Sequence, residues 1–329
     1  MAEKNVLIRV ENLFKYFPAR TGFMASILGK REWVHAVDDI SFTINRGEIM
    51  CLVGESGCGK TTTARVILRL DEPTSGNVFF DGENVFGLKG NELKALRLKM
   101  QMIFQDPYTA TNPRMTIFDS VAEPLVVHSL ASGEELEDKV ATALESVELT
   151  PADSFVFRYP HELSGGQRQR VGIARALILD PEFIAADEPV SMVDVSMRAG
   201  LLNLLLDLKT KFDLTYIFIT HNLAQAKYMG DRIAVMYLGK IVELGKADAT
   251  LSEPLHPYTK ALVSNVPIPD PDLVREKMHL KGEIPTPINP PSGCRLHPRC
   301  PYVMDKCKTM EPEFKEETKG HFVACHLLD

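Results

Sequence analysis

The sequence predicts an α/β protein built around a parallel sheet. Two observations carry that expectation. Short apolar runs of strand character alternate with stretches of helical spacing, the order in which strand–helix–strand units lay down parallel strands. One strand-to-helix junction, Val53 to Thr63, is a glycine-rich turn of the kind that lets backbone approach another group closely. At 329 residues the chain has room for two domains, or for one large domain with an appendix.

Taken in order, Val6 to Val10 alternate like an edge strand, and Asn12 to Phe17 carry a lysine and three aromatics. Residues 19–33 look like an irregular surface insertion. Val34 to Ile44 resume strand character, and Arg46-Gly47 turn into a buried strand, Glu48 to Val53. Thr62 to Leu70 have helical composition. Asp71 to Gly76 are dense in turn residues, Asn77 to Phe80 form a short strand, and Asp81-Gly82 is a hairpin turn. A short helix over Asn91–Met100 leads to the strand Gln101–Phe104, ended by Gln105-Asp106-Pro107. Thr116 to Leu149 are mostly helical by spacing, and helix resumes at Gln167–Leu179. Pro181 turns the chain into a buried strand ending at Ala186. Leu201–Leu208 is an apolar helix, Thr215–Thr220 and Ile233–Tyr237 are strands, and the proline-rich run from Asn265 to Gly293 is an extended linker or wrapping segment, not core.

Composition is that of an ordinary soluble globular protein, 45% hydrophobic and 25% charged. The net charge of −7 argues against a nucleic-acid surface, which is usually basic. The first residues lack the apolar core of a signal peptide, and no run approaches the roughly 18 apolar residues that span a bilayer. Work at a membrane would need spans from other chains.

The turn Gly54-Glu55-Ser56-Gly57-Cys58-Gly59-Lys60-Thr61-Thr62 fits G-x-x-x-x-G-K-[ST], a phosphate-binding loop. Its glycines let N–H groups and a helix N-terminus face an anion. Lys60 would reach the β- and γ-phosphates of a nucleoside triphosphate, and the Thr61 hydroxyl would ligate Mg²⁺. Four weaker signals follow in order: Gln105, the run Leu163-Ser164-Gly165-Gly166-Gln167, an apolar strand ending in Asp187-Glu188, and His221 after another strand. Each alone reads as a turn, a solvated strand end or a surface histidine.

In this order the motifs resemble the ATP-binding subunits of ABC transporters, over about Val6 to Leu251. The resemblance implies a RecA-like P-loop NTPase core with an antiparallel β subdomain and a helical subdomain inserted at about 105–175. It implies ATP held between the phosphate loop of one subunit and Ser164, Gly165, Gly166 and Gln167 of another. Asp187 would hold Mg²⁺ through water, Glu188 would polarise the attacking water, and His221 would contact the γ-phosphate. Gln105 would sense Mg²⁺ and water. Phe17 takes the place of the family's adenine-stacking aromatic, with Tyr16 beside it as a second candidate. Where the family commonly has Ser-Ala-Leu-Asp, this chain has Ser191-Met192-Val193-Asp194, keeping the aspartate. Cys58 is either a small loop filler or, beside Lys60 at a helix start, a thiol of lowered pKa.

His256-Pro257-Tyr258 and the spacing of Cys294, Cys300, Cys307 and Cys325 resemble the C-terminal extension of the oligopeptide/dipeptide branch. Domains of 1–255 (ATPase) and 256–329 (extension) follow. The branch implies a [4Fe–4S] cluster on the four cysteines; tetrahedral zinc ranks second and free thiols third. It also implies a second, non-identical ATPase subunit, two transmembrane permease subunits contacted near Asp106 to Leu125, and indirectly an extracytoplasmic solute-binding protein. The place implied is the cytoplasmic face of a membrane and the role peptide uptake, with oligosaccharide or nickel import as alternatives. A soluble ABC ATPase acting on nucleic acid or ribosomes fits less well: only one cassette is present, and too few residues separate Lys60 from Ser164 for a long coiled coil. An iron–sulfur scaffold with a relic nucleotide site is disfavoured by the intact Glu188 and His221.

Overall fold

The computed structural model describes residues 5–19, 32–106, 111–266 and 278–329. Most of the expected 19–33 insertion, Pro107 and the middle of the proline-rich run lie outside the described residues. In chain order the strands are β1 (Val6–Pro18), β2 (Trp33–Asn45), β3 (Ile49–Val53), β4 (Ser75–Phe80), β5 (Glu83–Asn84), β6 (Met100–Ile103), β7 (Phe183–Asp187), β8 (Thr215–Thr220), β9 (Arg232–Tyr237), β10 (Lys240–Lys246), β11 (Lys315–Thr318) and β12 (His321–Val323). The α-helices are α1 (Lys60–Ile67), α2 (Gly90–Lys99), α3 (Ile117–Val127), α4 (Glu134–Ser146), α5 (Gly165–Leu177), α6 (Val195–Phe212), α7 (Leu223–Met229), α8 (Ala247–Ser252), α9 (Pro257–Ser264) and α10 (Asp305–Thr309). Among the described residues no helix is long and apolar enough to cross a membrane.

The chain divides into two compact units. One takes in the described residues of Met1–Ile44, Ile49–Phe86 and Thr220–Asp329; the other takes in those of Asn45–Glu48 and Gly87–Ile219.

In the first unit β2-β1-β4-β5 form one sheet, in which β1–β4 and β4–β5 are antiparallel. β1 was expected at an edge, but it lies between β2 and β4. The aromatic stretch Asn12 to Phe17 continues the strand as far as Pro18. A bulge between Glu11 and Phe14 absorbs the change of register, with Asn12 at φ 43°. The Asp81-Gly82 turn is as predicted: both residues have positive φ, 49° and 85°, the geometry of a tight two-residue hairpin.

A second run of strands in this unit has the order β11-β12-β10-β9-β3. β3 is buried at every residue and pairs parallel with β9, Cys51 opposite Ile233 and Val53 opposite Val235. β10 pairs antiparallel with β9, and β12 with β10 through Glu243–Val323 and Leu244–Phe322. Residues 315–318 and 321–323, near the end of the chain, are therefore part of this sheet. Of the two readings of the proline-rich run, its end takes the wrapping one: the His35 N–H donates to the Pro287 carbonyl at 3.0 Å, and Val34 bridges Ile288.

In the second unit β6, β7 and β8 are parallel neighbours, in the order β8-β7-β6. β7 and β8 are buried throughout. Two helices begin with reciprocal caps, Thr116 with Asp119 on α3 and Ser164 with Gln167 on α5.

The C-terminal segment is tied down by a buried carboxylate. Glu243, fully buried, accepts backbone N–H bonds from Leu255 (2.8 Å) and His256 (3.0 Å) and meets Nε2 of His321 at 2.8 Å. The His256 ring is also buried, and its Nδ1 accepts the Tyr258 N–H at 3.1 Å as the cap of α9. Burial pushes His256 from 6.5 down to about 4. The unfolded chain therefore binds a proton below pH 6.5 that the folded chain refuses until about pH 4. Stability is complete above that window and drains away as pH falls through it. Thermal denaturation followed by circular dichroism should show the melting temperature dropping between these values, and His256→Asn, which keeps a capping acceptor, should reduce the slope.

Candidate functional site

The predicted phosphate loop follows β3 and runs straight into α1. Gly59 caps that helix at φ 112° and gives no side-chain hydrogen bond, so the first-turn N–H groups have no capping side chain. Two positions admit only glycine. A Cβ on Gly54, at φ 152°, would stand 2.3 Å from the Met236 carbonyl oxygen, and one on Gly59 would stand 2.1 Å from that of Ala36. The loop is further held by the Gly239 N–H, which donates to the Cys58 carbonyl at 2.8 Å. Lys60 is buried and its ammonium donates to the Gly54 and Glu55 carbonyls, at 2.8 and 3.0 Å. Thr61 is exposed at the helix start. Two glycines pressed against backbone carbonyls, a buried ammonium and an uncapped helix start together suit a polyphosphate.

Cys58 departs from one of its two expected readings. Burial, the largest influence, raises its thiol pKa, and the charge and hydrogen bond of Lys60 do not reverse this. The loop filler is what the structure contains: a thiol packed 4% exposed, with Lys60 at 3.7 Å.

The aromatic pair on β1 separates cleanly. Adjacent residues on a strand face opposite ways. Tyr16 donates its hydroxyl to Asp38 at 2.8 Å and packs its ring 4.1 Å from that of His35. Asp38 also meets Nδ1 of His35 at 2.9 Å and Arg295. Burial alone would raise the Asp38 carboxyl, but these hydrogen bonds and the Arg295 charge hold it below the ordinary carboxylate range. Phe17 is outside this network, with the Lys15 ammonium 4.7 Å from its ring centre. His221, also in this unit, is exposed beyond β8. Its surroundings are knit by the Asn222 N–H donating to the Thr220 hydroxyl at 3.0 Å and by Asn222 capping α7.

In the second unit, β7 ends in the buried Asp187, and Glu188 follows in a left-handed backbone conformation, φ 45°. A non-glycine residue held there costs of order 1 kcal/mol or more and marks a site the surroundings enforce. Its N–H donates to the Ile219 carbonyl at 2.9 Å, and its own carbonyl accepts from the N–H and hydroxyl of Ser191 at 3.1 and 3.0 Å. The Gln105 amide donates to the Glu188 carboxylate at 3.2 Å.

The Ser164 turn opens α5. Its reciprocal cap with Gln167 follows the S-x-x-Q pattern, which could have been read from the sequence. Two further residues there carry no signal in the sequence. Arg168, buried, donates twice to the Leu163 carbonyl, and Gln169 donates to the carbonyl of Phe104, the neighbour of Gln105, at 3.5 Å.

The four C-terminal cysteines share one neighbourhood. The Cys294 N–H donates to the Cys307 carbonyl at 2.8 Å, and burial together with the other three thiols pushes the Cys294 thiol up to about 12. Even so, among the described residues no group of three or more His, Cys, Asp or Glu is arranged to hold a metal ion. The expectation of a [4Fe–4S] cluster or zinc at Cys294, Cys300, Cys307 and Cys325 is thus not supported by the geometry.

The loop, the core and the carboxylate-ended strand define a P-loop NTPase of α/β, RecA-like class. Comparison with known proteins is more specific. Residues 37–191 match the family model described as ABC transporter, and residues 242–307 match that for the oligopeptide/dipeptide transporter C-terminal region. The oligopeptide transport ATP-binding protein AppF of Bacillus subtilis is 47% identical over 99% of this chain and 98% of its own. The "Probable peptide ABC transporter ATP-binding protein y4tS" of Sinorhizobium fredii is 47% identical over 98% of this chain and 90% of its own. Among solved structures, the dimeric ABC transporter cassette MJ0796 superimposes with a TM-score of 0.64 at 31% identity, covering 73% of this chain and 99% of that one. The chain belongs to the ATP-binding subunits of ABC transporters, an ATPase family.

Replacing Gly59 by Ala should lower stability by about 3 kcal/mol or abolish folding, because the new methyl meets a backbone carbonyl and not a movable side chain; denaturant midpoints measure this. Iodoacetamide at neutral pH should label Cys58 far more slowly in native protein than in urea-unfolded protein, as peptide mass spectrometry would record.

Proposed function

We propose that this chain is the ATPase subunit of a peptide importer, with hydrolysis at a nucleotide shared between two cassettes. The observation that carries the chemistry is Glu188, fixed in a left-handed conformation at a strand end with its carboxylate met by Gln105. A water-polarising group must be ionised and aimed, and this one is aimed by its backbone. The substrate class comes from the extension and from near full-length relatives whose names specify peptide or oligopeptide transport.

Lys60 and the loop N–H groups hold the phosphates, Phe17 stacks on the base, and His221 contacts the γ-phosphate. Mg²⁺, when bound, neutralises phosphate charge, with Thr61, Asp187 and Gln105 as its holders. Ser164, Gly165 and Gly166 serve the nucleotide of the neighbouring cassette, and Gln167 holds that turn through the cap. We place the ATPase domain at 1–255 and the extension at 256–329, with a helical subdomain at about 105–175. The partners in this reading are a second ATPase subunit, non-identical, and two membrane permeases reached near Asp106 to Leu125. An extracytoplasmic solute-binding protein is an indirect partner, and the chain sits peripherally on the cytoplasmic face of the membrane.

For the four cysteines the finer proposal remains a [4Fe–4S] cluster, zinc second, supported by the donor set alone and outside the hydrolytic steps. Anaerobically purified protein should then be brown, with broad visible absorbance; a colourless preparation with one zinc per chain reverses the order.

Glu188→Gln should cut ATP turnover by about 100-fold or more while leaving nucleotide binding intact. Size-exclusion chromatography with ATP should trap it as a dimer. Turnover equal to wild type would remove Glu188 from the proposed role.

A further inference from the structure

The C-terminal extension reaches the phosphate loop at one residue. Glu55 donates its backbone N–H to the Tyr258 hydroxyl at 2.9 Å. Its carboxylate accepts from both terminal nitrogens of Arg299, at 3.1 and 3.5 Å. Both partners are buried. The rings of Tyr258 and Tyr237 are 4.7 Å apart, and the Arg299 guanidinium lies 5.9 Å over the Tyr237 ring. Tyr237 ends β9, the strand paired with β3, which feeds the loop.

The turn that carries Arg299 is itself fixed. Its N–H and that of Cys300 donate to the Leu296 carbonyl at 2.8 and 2.9 Å, and its carbonyl accepts from Lys281 at 3.0 Å. The same turn carries Arg295, which bonds the Asp38 carboxylate and the Leu238 carbonyl. One turn between Cys294 and Cys300 thus grips two points of the first unit.

Glu55 lies between Gly54 and the exposed pair Ser56-Gly57, with Gly57 at φ 78° and open space round its Cα. Glycine supplies little restraint of its own there. The contacts to the Glu55 N–H and carboxylate restrain that half of the arch, alongside the Cys58 N–H, which donates to the Glu55 carbonyl at 3.3 Å. They also bear on Lys60, whose ammonium donates to the Glu55 carbonyl. A loop held in shape before ligand arrives spends less binding energy on ordering.

We propose that Tyr258 and Arg299 are positioning residues for nucleotide: the extension preorganises the phosphate loop through Glu55, and ATP affinity depends on it. This rests on the ATPase reading above.

The test uses the full chain, the fluorescent analogue TNP-ATP and apo melting temperature measured together. Tyr258→Phe removes one hydroxyl and should raise Kd severalfold, and Arg299→Gln should raise it about tenfold or more, the scale of neutral and charge-assisted hydrogen bonds. Arg299→Lys should restore part of the affinity. Glu55→Gln combined with Arg299→Gln should weaken binding no further than the worse single change, because both act through one contact. In steady state the variants should raise KM for ATP more than they lower kcat. Wild-type Kd in Tyr258→Phe and Arg299→Gln, whatever their melting temperatures, overturns the proposal and reduces the contacts to fold stability. In that outcome Lys60→Ala, if it alone abolishes binding, leaves the ATPase reading standing. Wild-type protein that binds no nucleotide overturns both.

Discussion

Backbone touching backbone is the constraint on which the nucleotide end of the first unit depends. The phosphate loop lies so close to the carbonyls of Ala36 and Met236 that two of its residues cannot carry a Cβ. A hydrogen bond from Gly239 closes the third side. With the loop packed inward on oxygen atoms, Cys58 is forced out of water, and the Lys60 ammonium is left to satisfy loop carbonyls. Interiors this dense do not deform gradually, so the loop's shape is set by its neighbours as much as by its own sequence.

The second unit reaches its chemistry by register. β6 and β7 run parallel, with Ile103 opposite Ala186. Two residues further along each chain come Gln105 and Glu188, which is why the amide of one meets the carboxylate of the other. Strands buried along their whole length leave room for charge only where they end, and ligands of open parallel sheets gather beyond those carboxyl ends. The left-handed turn at Glu188 then separates its direction from that of the buried Asp187 one residue earlier.

Much of this was legible in the sequence, for local reasons. The continuous apolar runs of β3, β7 and β8, the Asp81-Gly82 turn and the loop itself are short-range patterns. What escaped was decided at long range. Nothing near Glu243 announces that it pairs opposite Val323, and nothing near Val6 says whether a strand is flanked on one side or two. Of the two readings of Cys58 the loop filler holds, and the lowered thiol pKa suggested by the neighbouring Lys60 fails because burial outweighs that charge. Tyr16 and Phe17 are alike in sequence and differ only by the face they take, which Asp38 and His35 settle. The cysteine spacing suggested a ligand set, yet shared neighbourhood is a weaker condition than ligand geometry. The Ser164–Gln167 cap is legible as S-x-x-Q, in the same residues that suggest a phosphate contact.

The antiparallel pair β11–β12 has a consequence beyond holding the chain end. A sheet must stop somewhere, and its last strand offers unpaired N–H and C=O groups to any passing chain. Here the outermost strand of the β11-β12-β10-β9-β3 run is Lys-Glu-Glu-Thr, four residues long. Its brevity and its charges make it a poor template for another protein's strand. Behind it, the apolar β10 is kept from presenting a sticky rim in a crowded cell.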